Sequence, residues 1–170
     1  MTESAVTPRP RRRWLRWAAE LALFALLIAG IRAWQQATLA QGPAPELAGI
    51  RLDGAGFVLR PATEPTLIYF WATWCPSCRA MQGNIEPLLK NYRVITVAMQ
   101  SEGDAAVGGY LKEHGLHYPV LNDPDGALAR RYGVRAVPAL FVVDREGMIR
   151  FTEVGYTTEP GIRARLWLSR

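Results

Sequence analysis

Cysteine is scarce in this chain. Its 170 residues include two, Cys75 and Cys78, and histidine is as sparse, with His114 and His117 alone. A framework of several disulfides is therefore excluded. A structural zinc site needs about four ligands and would have to gather all four of these residues from two separate stretches, with no second C-x-x-C to help. Calcium has no loop of the right spacing: Asn122-Asp123-Pro124-Asp125-Gly126 lacks the ligand positions of an EF-hand and reads as a turn and helix cap. Charge of one sign is also missing from most of the chain. The sequence pI is about 9.6, yet residues 1–40 hold six Arg and two Glu, a net of +4, while residues 41–170 net only +1. With no basic stripe to follow a phosphate backbone, nucleic acid is excluded as a partner. Long hydrophobic runs are absent too, except for one near the N-terminus.

That run, residues 15–33, is mostly Ala, Leu and Ile. As a helix it would extend about 28 Å, close to the thickness of a bilayer's hydrocarbon core. Trp14, Trp17 and Trp34 fall at interfacial depths, and Glu20 and Arg32 lie near the ends, where charge can reach the interface. Arg9, Arg11, Arg12, Arg13 and Arg16 cluster at the N-terminal side, so the positive-inside rule places that end in the cytoplasm. The expected organisation is a cytoplasmic tail (1–14, disordered through residue 10), a transmembrane anchor (15–34), a linker ending in Gly42-Pro43-Ala44-Pro45 (35–45) and a folded domain (46–170). A cleaved signal ending at Thr38-Leu39-Ala40 and a twin-arginine export signal around Arg11-Arg12-Arg13 are the alternatives. Arg32 and the length of the run favour retention, and apolar residues all round argue against a buried globular helix.

The chemistry concentrates at Tyr69-Phe70-Trp71-Ala72-Thr73-Trp74-Cys75-Pro76-Ser77-Cys78-Arg79. Leu67 to Trp71, rich in β-branched and aromatic residues and short, reads as a buried strand. Pro76 suits the first helical turn, where its missing N–H has no intrahelical partner to lose. Helical sequence then runs from Ser77 to about Asn91. Cys75 therefore sits at a helix N-terminus, where free N–H groups and the macrodipole favour a thiolate, with Arg79 adding positive charge. Cys78, three residues on, emerges on the same face about one turn deeper. The spacing supports a division of labour: Cys75 attacks a substrate disulfide, and Cys78 resolves the mixed disulfide. A purely structural disulfide would close a minimal loop and be a weak staple. A two-thiolate Cu(I) site is chemically allowed, although no Met or His flanks the pair.

Downstream, residues 50–60 read as a short hairpin about Asp53-Gly54-Ala55-Gly56, and Val94 to Met99 as a second buried strand. Strand, helix, strand implies a parallel βαβ unit. Residues 103–115 form a helix weakened by Gly108-Gly109, with His114 and His117 as surface or capping residues. Residues 127–132 form a short helix, with Gly133 as its C-cap. Val137-Pro138 precedes the apolar run Ala139 to Val143. Its proline cannot donate to a sheet ladder, and a cis peptide there would make a tight turn. Asp144-Arg145-Glu146-Gly147 is a hairpin turn. The last helix starts near Thr158-Glu159-Pro160, with Ile162, Leu166 and Trp167 as its buried stripe and Arg163 and Arg165 toward water.

Trp71-Ala72-Thr73-Trp74-Cys75-Pro76-Ser77-Cys78 resembles the active-site segment of the thioredoxin superfamily, and residues 133–144 resemble its cis-proline segment. The likeness covers about residues 45–170. Within the superfamily the chain is similar to the membrane-anchored periplasmic group related to TlpA, and the tail 153–168 is similar to its suppressor-for-copper-sensitivity D type. The resemblance implies a thioredoxin-like α/β fold, a central mixed sheet of four to five strands with helices on both faces. It also implies a protein dithiol–disulfide oxidoreductase with Cys75 and Cys78 catalytic. Trp71, Trp74, Pro76, Val137 and Pro138 would bind the substrate, with the backbone of Val137 pairing with its chain. No metal or organic cofactor is needed, because the thiols carry the two electrons. The implied partners are protein disulfides and a membrane thiol transporter as electron donor, and the implied location is the inner membrane with the domain in the periplasm. Two departures are visible. Thioredoxin carries a buried Asp where this chain has Tyr69, leaving Glu86 or Glu102 as candidates for the proton role. Cytochrome c maturation reductases carry an acidic residue after the cis-proline, and here Ala139 follows. Reduction of selected periplasmic disulfides is the favoured direction, with cytochrome c maturation as the alternative in the same chemistry and non-catalytic Cu(I) handling as the alternative of another class.

Overall fold

The structure is a computed structural model, and it describes residues 11–170. The expectations for residues 1–10 lie outside the described residues, as do those for the side chains of residues 11–13, 32, 34 and 35. The chain divides into two compact units between Trp34 and Gln35.

The first unit holds all but the last turn of α1 (Arg11–Ala37), 27 residues or about 40 Å of helix. Its window Trp14–Ile31 has a mean hydropathy of 1.6, long and apolar enough to cross a membrane.

The second unit is an α/β layer structure. In chain order it comprises β1 (Gly42–Pro43), β2 (Ala48–Ile50), β3 (Gly56–Val58), β4 (Thr66–Trp71) and α2 (Pro76–Ile85), followed by a 3-10 turn, Glu86–Lys90. Then come β5 (Arg93–Met99), α3 (Asp104–Glu113), β6 (Val120–Asp123), α4 (Ala127–Arg131), β7 (Ala139–Val143), β8 (Met148–Val154) and α5 (Glu159–Leu168). The main sheet runs β1-β8-β7-β4-β5-β6, and β2 and β3 form a separate hairpin. β4, β5 and β6 are parallel, whereas β7, β8 and β1 are added antiparallel. The central mixed sheet thus has five full strands, with the two-residue β1 as a sixth at its edge.

Every residue of β4 is buried, which explains its unbroken apolar run: both faces of the sheet are covered. Period-2 alternation sends Leu67, Tyr69 and Trp71 to one side, with Cys78, Met81 and Ile85 of α2, Val107 of α3 and Ile162 and Leu166 of α5. Ile68 and Phe70 go to the other side, with Ala129 of α4, Tyr132 and Phe141. There Phe70, Tyr132 and Phe141 meet ring to ring at 5.1–5.6 Å between centroids.

Three details differ from expectation. The helix after the cysteines is not continuous to residue 91: α2 ends at Ile85 and tightens into a 3-10 turn, because Pro87 has no N–H to donate and its ring crowds the preceding turn. Residues 38–45 are not free linker. Leu39 is buried, Ala40 N–H donates to Tyr132 O at 3.0 Å, Ala44 N–H to Gly147 O at 2.9 Å, and Tyr132 Oη to Pro45 O at 2.7 Å. On α5, Ile162 and Leu166 are buried as expected, but Trp167 is exposed. Arg163 and Arg165 are tied down by Glu159 and Glu153 at 2.7 and 3.0 Å.

Candidate active site

β4 carries the chain to the end of the sheet at which the parallel strands finish, and the segment 72–75 turns it into α2. That turn is held from the side by the segment after β5. Thr73 N–H donates to Ser101 Oγ at 3.1 Å, Ser101 Oγ donates to Met99 O at 3.0 Å, and Trp74 Nε1 donates to Gln100 O at 2.9 Å. Nothing in the local sequence marks Gln100 and Ser101 as supports, because the pairing depends on β5 lying beside β4.

Cys75 is the N-cap of α2, in extended conformation, and Pro76 occupies the first turn. With no N–H on Pro76, the sulfur of Cys75 receives the N–H of Cys78 at 3.1 Å. Cys75 Sγ thus sits at a helix N-terminus, a position that favours negative charge. Ser77 Oγ lies 3.3 Å from Cys75 Sγ. The two cysteines are joined in a disulfide with Cα atoms 5.2 Å apart. Cys75 is 4% exposed and Cys78 is fully buried, so substrate can approach Cys75 before Cys78. Arg79 is exposed at the surface of α2, and its N–H donates to Cys75 O at 3.2 Å.

The peptide Val137-Pro138 is cis and sits against the pair, with Val137 O 3.6 Å from Cys75 Sγ. Pro138 O accepts from Gly155 N–H at 2.8 Å, and Asn84 Nδ2 donates to Thr157 O at 3.0 Å. These bonds tie the segment after β8 to both the proline turn and α2. Val137 is half-buried, Pro138 buried and Pro76 exposed. Trp74 is 60% exposed, a surface aromatic held by its own indole N–H.

Trp71 is a correction. Expected to frame the groove, it is fully buried. The alternation of β4 turns it inward, where Nε1 donates to Thr96 Oγ1 at 3.1 Å and the ring lies 5.5 and 5.7 Å from Tyr110 and Tyr118. It supports the site from below and offers no surface to a substrate.

The proton candidates separate. Glu102 lies beyond the end of β5, where its carbonyl accepts from Asn122 Nδ2 at 3.0 Å. Glu86 lies past α2, with Oε1 taking His117 Nδ1 at 2.8 Å and His117 N–H at 3.1 Å. Tyr69, beneath the pair, donates its hydroxyl to Cys78 O at 3.4 Å. Burial pushes its ionisation well above the ordinary phenol range, with Tyr110 adding to the effect, so it stays neutral.

With this geometry in view, the comparisons with known proteins decide the family. The Redoxin family model matches residues 40–166. The chain belongs to the Redoxin family. A thioredoxin-like protein of Haemophilus influenzae is 35% identical over 121 residues, covering 69% of this chain and 72% of the relative. The thiol:disulfide interchange protein DsbE of Escherichia coli is 30% identical over 161 residues, covering 84% of each. Among solved structures, the exposed lipoprotein thioredoxin of Streptococcus pneumoniae superposes with a TM-score of 0.64 at 29% identity, covering 72% of this chain and 98% of that one. The fold of this Redoxin member is thioredoxin-like, and the match takes in both the cysteine pair and the cis-proline turn.

Proposed function

We propose that this chain is a membrane-anchored thiol:disulfide oxidoreductase that reduces selected protein disulfides outside the inner membrane. The observation that carries the reading is the Cys75–Cys78 disulfide at the start of α2, with the outer sulfur facing a backbone donor and the inner one sealed. In the reduced protein the Cys75 thiolate attacks a substrate disulfide, one substrate sulfur leaves, and a mixed disulfide forms. Cys78 then attacks Cys75 Sγ. The internal disulfide closes, the second substrate sulfur leaves, and two electrons have passed to the substrate. Val137 presents its backbone beside Cys75, where an extended substrate segment can pair with it, while Trp74 and Pro76 supply apolar contact at the rim. A membrane thiol transporter would restore the dithiol. The anchor is α1, with residues 1–14 cytoplasmic and the domain periplasmic.

Two features support interchange between proteins: the relatives above are named for thiol:disulfide interchange or as thioredoxins, and the pair lies at the surface end of the sheet. Ala139, buried at the start of β7, stands where cytochrome c maturation reductases carry an acid, which favours the general reductase over that role. The test is trapping. The Cys78→Ser protein, expressed in a Gram-negative cell, should accumulate mixed disulfides through Cys75 that dithiothreitol releases and mass spectrometry identifies. The Cys75→Ser protein should trap none and lose turnover of an artificial disulfide. Equal trapping by both variants, or a pair that binds Cu(I) tightly and never cycles between dithiol and disulfide, would overturn the reading.

A further inference from the structure

This inference rests on the dithiol–disulfide reading and names the kind of substrate that the site selects. A cavity of about 280 Å³ opens beside the cysteine pair, between the segment after β5 and α4. Its floor is apolar, because Met99, Ala129 and Val134 are buried. Its rim is polar and basic, formed by Gln100, Arg130 and Arg135, all three exposed.

The rim donors converge. Gly126, which also lines the cavity, has φ +72°, and a Cβ there would meet Arg130 Nη1 at 3.4 Å and Gln100 Nε2 at 3.5 Å. The guanidinium and the side-chain amide therefore reach toward one point. Gln100 has φ +49°, a left-handed backbone uncommon for a residue with a side chain. Its carbonyl takes the Trp74 indole N–H at 2.9 Å while its side chain lies over Gly126. The nearby acids are turned elsewhere. Asp123 receives Leu128 and Ala129 N–H at 3.0 and 2.9 Å, and Asp125 Oδ1 receives Ala127 N–H at 3.3 Å. These bonds occupy the N–H groups at the start of α4. Arg130 Nη1 donates to the Asp125 carbonyl at 2.6 Å rather than to a carboxylate. What the cavity offers an anion is thus side-chain donors over an apolar floor.

The cavity also lies on the path of a substrate. Arg135 stands two residues before Val137, at most about 7 Å of extended chain, and Val137 O is 3.6 Å from Cys75 Sγ. On the other side of the sulfur, Trp74 directly precedes Cys75 and is fixed to Gln100. A polypeptide joined to Cys75 and paired with Val137 therefore passes the mouth of the cavity.

We propose that this cavity is a subsite for the carboxylate of an aspartate or glutamate on the substrate polypeptide, a few residues from the reacting cysteine, with Arg130, Arg135 and the Gln100 amide as its donors. A guanidinium matches a carboxylate with two parallel hydrogen bonds. Opposite charge at the edge of a contact speeds encounter and selects partners more than it tightens the final complex. The preference for acidic segments thus acts on the first step, attack by Cys75. The two arginines determine specificity and take no part in the exchange of sulfurs.

The experiment uses the reduced full-length protein in an uncharged detergent and three synthetic peptides, each with one cysteine activated as a 2-pyridyl disulfide. The residues flanking that cysteine on both sides are glutamate, glutamine or lysine. Cys75 attacks the peptide sulfur, the bond to the pyridyl sulfur breaks, and pyridine-2-thione leaves and is followed by its absorbance. Cys78 then displaces the peptide thiol, so the protein ends as the disulfide and the substrate as two thiols. In the wild type the glutamate peptide should react at least about fivefold faster than the lysine peptide at low ionic strength, the upper range for an exposed ion pair. The glutamine peptide should fall between, and salt should narrow the gap. Arg130→Gln and Arg135→Gln should each lower the ratio of glutamate to lysine rates, and Arg130→Glu should bring it to one or below. The ratio is taken within each protein, so a change in overall reactivity cancels. Equal rates for the glutamate and lysine peptides in the wild type overturn the proposal without any variant, as does a wild-type ratio retained by Arg130→Gln. Failure of the underlying reading looks different: no peptide of any charge releases pyridine-2-thione, or Cys75→Ser releases it as fast as the wild type.

Discussion

Asp144 shows how one residue can hold an element in place. It closes β7, and its carboxylate is buried where the chain reverses into β8. Oδ1 accepts the N–H groups of Glu146 and Met148 at 3.0 and 2.8 Å, and Oδ2 pairs with Arg150. Burial alone would raise its pKa. The Met148 N–H, the Arg150 guanidinium and the Glu146 N–H together outweigh that and hold the carboxyl below the ordinary carboxylate range. A group whose folded pKa is depressed stabilises the fold above its unfolded value, and that contribution disappears as the pH falls through the folded one. Asp144→Asn should therefore lower stability by about 2 kcal/mol at neutral pH, the scale of hydrogen bonds to a charged group. The gap between variant and wild type should close below about pH 4. Denaturant melts across that range check both the size and the sign. The turn itself was legible, since Asp144-Arg145-Glu146-Gly147 is turn chemistry. The burial of its carboxylate was not, because it depends on Arg150 and Met148 returning along the next strand. The site divides the same way. Cys75, Pro76, Cys78 and the proline turn could be read from local types and spacing, and by resemblance. Trp71 was misplaced because the resemblance set it in the groove wall with Trp74, and the alternation of β4 turns it inward only once the strand is anchored to a particular face.

At the scale of elements, the segment 38–45 and the end of α4 form a joint. Gly133 has φ +68°, a left-handed conformation in which a side chain is strained. A Cβ added there would also fall on the backbone of Thr38, with the carbonyl carbon at 2.7 Å. Thr38 Oγ1 in turn donates to Gly133 O at 3.0 Å, across a sequence separation of 95. Reading Gly133 as a C-cap captured its backbone angle. The close approach of a strand of chain from the N-terminal side could not be read, since residues 35–45 have the Ala, Gly and Pro content of a linker and their partners lie far along the sequence. Gly133→Ala should cost about 2 kcal/mol or more and should expose residues 38–45. Equilibrium unfolding measures the first effect, and hydrogen exchange at Ala40 and Ala44 N–H measures the second. Unchanged protection at those two amides would mean that the joint is not what holds the segment.

At the scale of the whole molecule, a helix able to span a bilayer precedes a domain whose thiols must meet other proteins. The cluster of Arg near the start of α1 sets the expected orientation, and the chemistry requires a compartment in which disulfides persist long enough to be substrates. Both conditions point to the same side of the inner membrane. The Cys78→Ser chain makes this measurable, because Cys75 is then its one thiol. In Gram-negative cells with a permeabilised outer membrane, a membrane-impermeant maleimide should label Cys75 without lysis of the inner membrane. The labelled chain should stay in the pellet after carbonate extraction and retain its N-terminal residues. Labelling that appears only after lysis would reverse the orientation and remove the periplasmic reading. A labelled but extractable chain beginning after Ala40 would instead turn α1 into a cleaved signal. In that case Thr38 and Leu39 would be gone, and with them the packing of Leu39 in the cluster of Leu47 and Phe141 and the Thr38–Gly133 hydrogen bond. The cleaved domain should then be measurably less stable than the full chain, so a domain of equal stability would count against the joint as well as the anchor.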